Sequence, residues 1–199
     1  MKKTRKALLL SLCAVMLVTA TVLGTMAYLT SSDQVVNTFT VGNVAITLDE
    51  TDVDNSTPGD NDRDQANAYK LMPGRTYTKD PIVHVDAESE DCYLFVKVAN
   101  EIADIEAAKT VADQMTEKGW AAVAGADGTY VYTTDNTNPA VVNGGSDVTV
   151  FESFTIAGEV DNDTLSGYAD KTITVTAYAI QADGFEGKTA SEIWTAAGF

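Results

Sequence analysis

The sequence predicts an all-β protein, an antiparallel β-sandwich with short helical insertions. Many short apolar or alternating segments are separated by turn residues, which favours antiparallel sheets over βαβ units. Helical periodicity is confined to two short stretches, each opened by a capping box. Apart from its first 27 residues, the 199-residue chain is long enough for one domain with its own core.

Strand patterns recur along most of the chain. Residues 43–48 alternate between apolar and polar types, and residues 92–99 are apolar on both faces, as expected of a central strand. Further strands are predicted over residues 35–41, 77–85, 129–134, 148–156 and 171–180. Pro81 favours an edge position for the early part of its strand. Residues 49–67 are acidic and contain Pro and Gly, so they are predicted to form a loop.

Two helices are predicted from their local signals. Thr110 and Asp113 can form a capping box, and Gly119 stands where that helix would end. Thr189 and Glu192 provide the same motif at the start of a short C-terminal helix. Both helices are short insertions in a chain of strands.

The first 27 residues have the layout of a secretory signal peptide. Four basic residues precede an apolar run over residues 7–23, and small residues occupy the positions that a signal peptidase reads. Cleavage is therefore predicted between Ala27 and Tyr28, which leaves residues 28–199 as a single exported domain. The alternative is a permanent membrane anchor, because the apolar run is nearly long enough to span a bilayer.

The predicted mature chain is strongly acidic. The first 27 residues hold four of the 13 basic residues and none of the 29 acidic ones, so residues 28–199 carry a formal charge of −20. Such a surface repels phosphate, which argues against nucleic acid as a partner and against docking on anionic lipid. A membrane is expected to be contacted only through the uncleaved leader.

The residue types of common catalytic sites are scarce. His84 is the only histidine and has no helical His-Glu-x-x-His pattern around it, so the sequence lacks a zinc-ligand set. Serine catalysis would need the same histidine as its base, and no Gly-x-Ser-x-Gly motif is present. Because Cys13 leaves with the leader, Cys92 has no disulfide partner and is interpreted as a buried small hydrophobe. No catalytic residue is assigned.

An acidic loop offers the one candidate ion site. Asp60, Asp62 and Asp64 place carboxylates at alternate positions, as calcium-binding loops do. Gln65 stands where an EF-hand needs Gly, and Leu71 stands where it needs a bidentate Glu. The loop is therefore not an EF-hand. A solvated acidic loop is the simpler interpretation, and calcium is the only cofactor that the residues suggest.

Removal of the leader would free a strand-forming N-terminus. Residues 28–41 include Val35, Val36, Phe39 and Val41. Such a strand pairs either within its own sheet or with an open edge of a neighbouring subunit. Head-to-tail repetition of the second arrangement generates a fibre. The residues alone favour an ordinary first strand paired within its own domain.

Several segments follow one another in an order that suggests a family. They are residues 24–30, the Phe39-Thr-Val-Gly42 element within residues 37–44, the Leu71-Met-Pro73-Gly74 element followed by Lys79, and residues 91–98, 151–154 and 173–181. Together they resemble the TasA/camelysin (CalY) family of Gram-positive secreted proteins. The leaders of that family are processed by a SipW-type signal peptidase.

The resemblance implies a jelly-roll-like sandwich, export, and retention at the cell surface or in the biofilm matrix of a Gram-positive bacterium. It also implies fibre assembly in which the processed N-terminal segment, here residues 28–41, is donated to the next subunit. The implied partners are the signal peptidase and further copies of this chain or related matrix subunits. The family's metallopeptidase label is not carried over, because the zinc ligands are missing. A camelysin-like metallopeptidase and a monomeric calcium-dependent surface adhesin remain as alternatives.

Overall fold

The computed structural model describes Lys6, residues 11–16, residues 42–54 and residues 63–199. The chain divides into two compact units, one up to Thr40 and one from Val41 onwards. In the first unit, residues 11–16 are helical. None of the helices in these described ranges is long and apolar enough to cross a bilayer.

Several predicted features lie outside the described residues. They belong to the cleavage junction, the N-terminal strand and the acidic loop, and comprise Ala27, Tyr28, Val35, Val36, Phe39, Val41, Asp60 and Asp62. The statements made about them from the sequence therefore stay predictions. Asp64, from the same acidic loop, is described.

The second unit is built mainly of antiparallel strands, as the sequence predicts. Its described strands are β1 (Ile46–Thr51), β2 (Arg63–Asp64), β3 (Thr76–Thr78), β4 (Ile82–Val85), β5 (Cys92–Asn100), β6 (Trp120–Ala122), β7 (Thr129–Tyr132), β8 (Val141–Val142), β9 (Asp147–Thr149), β10 (Ser153–Thr155) and β11 (Ile173–Gln181). One sheet has the order β2-β1-β4-β9, and a second has the order β11-β5-β7-β6 with β8 also paired to β5. β3 and β10 form a two-stranded ribbon.

Short helices interrupt the strands. They are α1 (Val111–Glu117), α2 (Asn162–Ser166) and α3 (Ala190–Ala197), and a 3-10 turn spans Ala103–Ile105. Both predicted capping boxes are confirmed, because Thr110 and Asp113, like Thr189 and Glu192, exchange side-chain and backbone hydrogen bonds. The sequence does not predict α2, which is only five residues long.

The predicted central position of β5 is confirmed. Leu94 and Val96 lie in a core cluster that includes Val83 of β4. Phe95, on the opposite face of β5, lies in a second cluster with Ile193 of α3. Both faces of β5 are therefore covered, one by the other sheet and one by the C-terminal helix, which explains its continuous apolar run.

Two predicted strands are each divided in the structure. The segment over residues 77–85 forms β3 and β4, and the segment over residues 148–156 forms β9 and β10, with the two parts in different sheets. β3 pairs with β10 and β4 pairs with β9. The two segments therefore stay paired as each passes from one sheet into the other. Pro81 lies at the crossing, where it donates no backbone hydrogen bond but accepts one from the N–H of Val150 at 2.8 Å.

The predicted loop over residues 49–67 is wrong at residues 49–51 and 63–64, which form strands. Residues 49–51 complete β1, and β2 pairs with them so that Glu50 lies opposite Asp64. The acidic composition suggests a solvated loop, but Arg63 compensates part of this charge by binding Asp49, and it also binds Asp80 from outside the segment. The sequence also does not predict β6 and β8, because two or three residues are too short to show alternation.

Candidate functional site

A groove of about 710 Å³ opens between β1 and β11. β1 contributes Leu48 to its lining, β11 contributes Val175 and Ala177, and Tyr69 and Phe154 complete its apolar part. Apolar side chains that border an open groove lose less water contact than those in a closed core. The groove is therefore a place where further apolar surface can be buried.

The inward face of β11 is incompletely covered. Ile173, Val175, Ala177 and Ala179 pack against the main core cluster but remain half-buried. The neighbouring Leu94 of β5, which faces the same cluster, is 0% exposed. The difference arises because β11 is an edge strand of its sheet and borders the groove, whereas β5 has a neighbouring strand on each side.

The outer edge of β11 has no partner strand among the described residues. β5 pairs with β11 along its whole length, from Ile173 opposite Asn100 to Gln181 opposite Cys92. Within residues 42–54 and 63–199 no other strand pairs with β11. An unpaired edge of nine residues offers backbone groups to an additional strand. The groove and this edge together can accept an extended apolar segment.

The polar end of the groove is organised by Glu50. Its carboxylate accepts a hydrogen bond from Lys79 Nζ at 2.6 Å and one from Asn67 Nδ2 at 3.0 Å. Glu50 is 4% exposed and is among the few buried polar residues in the described part of the chain. A buried carboxylate is tolerated only when it is paired in this way.

Arg63 holds the end of the acidic loop against β1. Its guanidinium binds the Asp49 carboxylate and also Asp80 Oδ2, at 3.1 Å. Burial alone would raise the pKa of Asp49 and that of Asp80. Hydrogen bonds from Arg63 and His84 to Asp49, and from Thr51 and Arg63 to Asp80, outweigh burial and hold both pKa values below their ordinary range.

His84 links three strands of one sheet. Its Nδ1 lies 2.6 Å from Asp147 Oδ1 of β9, and its Nε2 lies 3.1 Å from Asp49 Oδ1 of β1. Burial lowers the pKa of His84, but the hydrogen bonds and charges of Asp147 and Asp49 outweigh it and raise that pKa above 6.5. In this geometry His84 is a structural residue that joins neighbouring strands.

His84→Gln is expected to remove a pH-dependent part of the stability. Because the folded-state pKa is raised, the contribution of His84 is fully present below about pH 6.5 and is lost as the pH rises through the folded-state pKa. The groups are partly exposed, so we expect a difference of about 0.5–1 kcal/mol. Urea unfolding of both proteins at pH 5.5 and pH 8.5 measures it. A difference that is equal at the two pH values would contradict this account.

The candidate calcium residues are only partly described. Asp64 lies in β2, where its Oδ1 accepts a hydrogen bond from the backbone N–H of Gln65 at 2.6 Å. Asp60 and Asp62 lie outside the described residues. Across the described ranges, no group of three or more His, Cys, Asp or Glu side chains is arranged to hold a metal ion. The calcium site at these three aspartates therefore stays a prediction.

Cys92 lies where the sequence places it, in the core. It is 0% exposed, and burial together with the nearby charge of Asp91 raises the pKa of its thiol to about 11. A thiol in this state is a poor nucleophile at neutral pH. The structure thus supports its interpretation as a small hydrophobe.

Sequence patterns do not predict the cluster of Glu50, Lys79 and Asn67. One signal was present, because Ile46, Leu48 and Glu50 fall on the same face of a strand with period two. A carboxylate that continues an apolar face must be buried with a partner. The partner itself could not be inferred, because Lys79 is distant in the chain.

Comparison of this chain with protein-family models, with curated proteins and with solved structures found no match. The groove, the unpaired edge of β11 and the sequence patterns therefore carry the functional argument.

Proposed function

We propose that this protein is a secreted structural subunit that assembles into cell-surface or biofilm-matrix fibres. In this proposal a signal peptidase of the SipW type cuts between Ala27 and Tyr28. The released N-terminal strand, residues 28–41, then adds to the sheet of the next subunit. The fold is taken to be a jelly-roll-like sandwich, and the host is a Gram-positive bacterium.

The observation that carries the proposal is the half-buried inward face of β11 beside an edge that no other described strand pairs with. A strand added there would form backbone hydrogen bonds with β11 and cover Val175 and Ala177. β11 is nine residues long, about 30 Å in a sheet. Residues 28–41 span about 45 Å when extended, which leaves length for a connection between subunits.

The side-chain pattern of the N-terminal segment suits such a groove. In an extended strand, Val35, Phe39 and Val41 share one face with Asn37, whereas Thr38 and Thr40 share the other face with Val36. The first face is the more apolar of the two, as expected of a strand that covers a core on one side only. Each buried Val or Phe side chain would contribute about 1.5–3 kcal/mol.

The proposal assigns no enzymatic activity and requires no cofactor. Its support is that the sequence contains one histidine, and that both ring nitrogens of His84 are held by carboxylates. A hydrolytic zinc site usually uses two or more histidines. The implied partners are the signal peptidase and further copies of the chain.

Electron microscopy of protein beginning at Tyr28 tests the proposal. Filaments are expected from this protein and none from a version that lacks residues 28–41. The double variant Val35→Asp with Phe39→Asp should also fail to assemble, since it places charge on the face that enters the groove. The matched control, Thr38→Asp with Thr40→Asp, adds the same charge to the other face and should still assemble.

Dispersed monomers from every version would overturn the proposal and favour the surface adhesin. Filaments from the version without residues 28–41 would show that assembly does not use the N-terminal strand. Circular dichroism of each variant establishes that the monomer is folded.

A further inference from the structure

One buried carboxylate accepts hydrogen bonds from both an amine and an amide. Lys79 Nζ donates to Glu50 Oε2 at 2.6 Å, and Asn67 Nδ2 donates to Glu50 Oε1 at 3.0 Å. The side chain of Glu50 is 6% exposed and that of Lys79 is 11% exposed. The three side chains come from β1, from the segment after β2 and from the segment between β3 and β4. Folding therefore assembles a nucleophile, a proton acceptor and an acyl group that are separate in the sequence.

The amide of Asn67 is fixed in orientation. Its Oδ1 accepts a hydrogen bond from the backbone N–H of Val53 at 2.7 Å, and its Nδ2 also donates to the carbonyl oxygen of Thr51 at 2.9 Å. A donor on Oδ1 polarises the carbonyl and can stabilise negative charge that develops there during attack. The nitrogen that would leave already contacts the carboxylate that would bring it a proton.

We propose that Lys79 and Asn67 form an intramolecular amide bond, with Glu50 carrying the proton between them. Glu50 takes one proton from the Lys79 ammonium, and the free amine attacks Asn67 Cγ. A bond forms between Nζ and Cγ, and the bond between Cγ and Nδ2 breaks as Glu50 returns its proton to the departing nitrogen. The second proton that Nζ loses then passes through Glu50 to the released ammonia. The ammonium and the primary amide become a secondary amide and one ammonium ion, so no oxidant or second reactant is consumed.

The fixed arrangement of the cluster favours this step. Holding the reacting groups in place replaces an encounter in solution with a local rearrangement. The apolar side chains of Leu48 and Tyr69 line the groove beside the cluster and limit its hydration.

The bond would close a ring over residues 67–79. This ring contains the turn at Pro73 and Gly74 and would tie the end of the acidic loop to the segment entering β4. A covalent tie of this kind restricts the unfolded chain, as a disulfide does. It would strengthen the polar end of the groove without a cysteine. The inference does not rest on fibre assembly, because every participating residue belongs to one chain.

Mass spectrometry of protein produced from the full sequence tests the bond. After allowance for N-terminal processing, the mass is expected to fall about 17 Da below that of the unmodified chain, through loss of one ammonia. Trypsin cannot cut after a lysine whose amine is acylated. The digest should therefore contain a branched peptide that joins residues 64–70 to residues 76–97.

Lys79→Arg is the matched control, since it keeps a positive charge for Glu50 but cannot form the amide. This variant should show the full mass, release a peptide ending at position 79, and unfold about 5–10 °C below the wild type. Glu50→Gln should also show the full mass, because its amide cannot carry the proton. Circular dichroism checks that both variants are folded.

Full mass in the wild-type protein, with residues 64–70 and 76–79 recovered as separate peptides, would overturn the inference. Loss of ammonia without the branched peptide would overturn it equally, because cyclisation of Asn67 with its own backbone removes the same mass. A branched peptide that persists in Glu50→Gln would contradict the role given to Glu50.

Discussion

Ala177→Phe is expected to stop filament formation while the monomer stays folded. Ala177 is half-buried on the inward face of β11 and lines the groove. A phenyl ring at this position occupies space that the incoming strand needs. Loss of one well-buried apolar contact costs about 3 kcal/mol per junction. That energy corresponds to roughly a hundredfold higher concentration for assembly. Electron microscopy and sedimentation across a concentration series measure the change.

Thr176→Phe provides the control on the same strand. Thr176 also borders the groove, but it is exposed, and its side chain lies on the opposite face of β11 from that of Ala177, because successive strand residues face opposite sides of a sheet. It should assemble at the wild-type concentration. If both variants assemble normally, the groove beside β11 is not the docking site. If both fail, the edge of β11 is perturbed in general and the groove is not specifically implicated.

Glu50→Ala is expected to reduce the free energy of unfolding by about 3–5 kcal/mol. Without Glu50 the proposed amide bond does not form, so the substitution removes the acceptor of Lys79 and leaves a buried ammonium without its partner. Asn67 loses one of its two acceptors at the same time and keeps only the carbonyl of Thr51. Urea unfolding followed by circular dichroism measures the difference.

Two further variants separate the causes of that loss. The double variant Glu50→Leu with Lys79→Met removes both charges and should recover part of the stability, since an apolar pair of similar size carries no desolvation cost. Glu117→Ala removes an ion pair with Lys109 whose side chains are about 60% exposed, and it should leave the unfolding curve unchanged. A loss below about 1 kcal/mol for Glu50→Ala would contradict the importance given to the buried pair.

Local signals in the sequence locate the helices that carry capping boxes. Thr110 with Asp113 and Thr189 with Glu192 form the expected hydrogen bonds. Gly119 also ends α1 as expected, with φ of +90°, and a Cβ atom there would lie 2.5 Å from the carbonyl oxygen of Thr133. These motifs depend on residues only a few positions apart, so the chain specifies them without reference to the rest of the fold.

Strand boundaries are harder to predict from the sequence than the capped helices are. Residues 77–85 look like one strand but divide between two sheets, because the crossing is set by their pairing with residues 148–156. Residues 49–51 look like loop but belong to β1, because Arg63 returns to bind Asp49 and Asp80. In both cases the deciding partner is more than ten positions away, and alternation within one segment carries no information about it.

The sequence by itself determined the all-β class, the central position of β5, the two capped helices and the buried state of Cys92. Each of these follows from hydrophobic period or from hydrogen bonds between near neighbours. Only the tertiary structure decided that β11 borders an open groove and that Glu50 joins Lys79 to Asn67. The groove and the Glu50 cluster both form where segments distant in the chain meet. Because burying an unpaired charge costs free energy, Glu50 is buried only together with side chains that bind it.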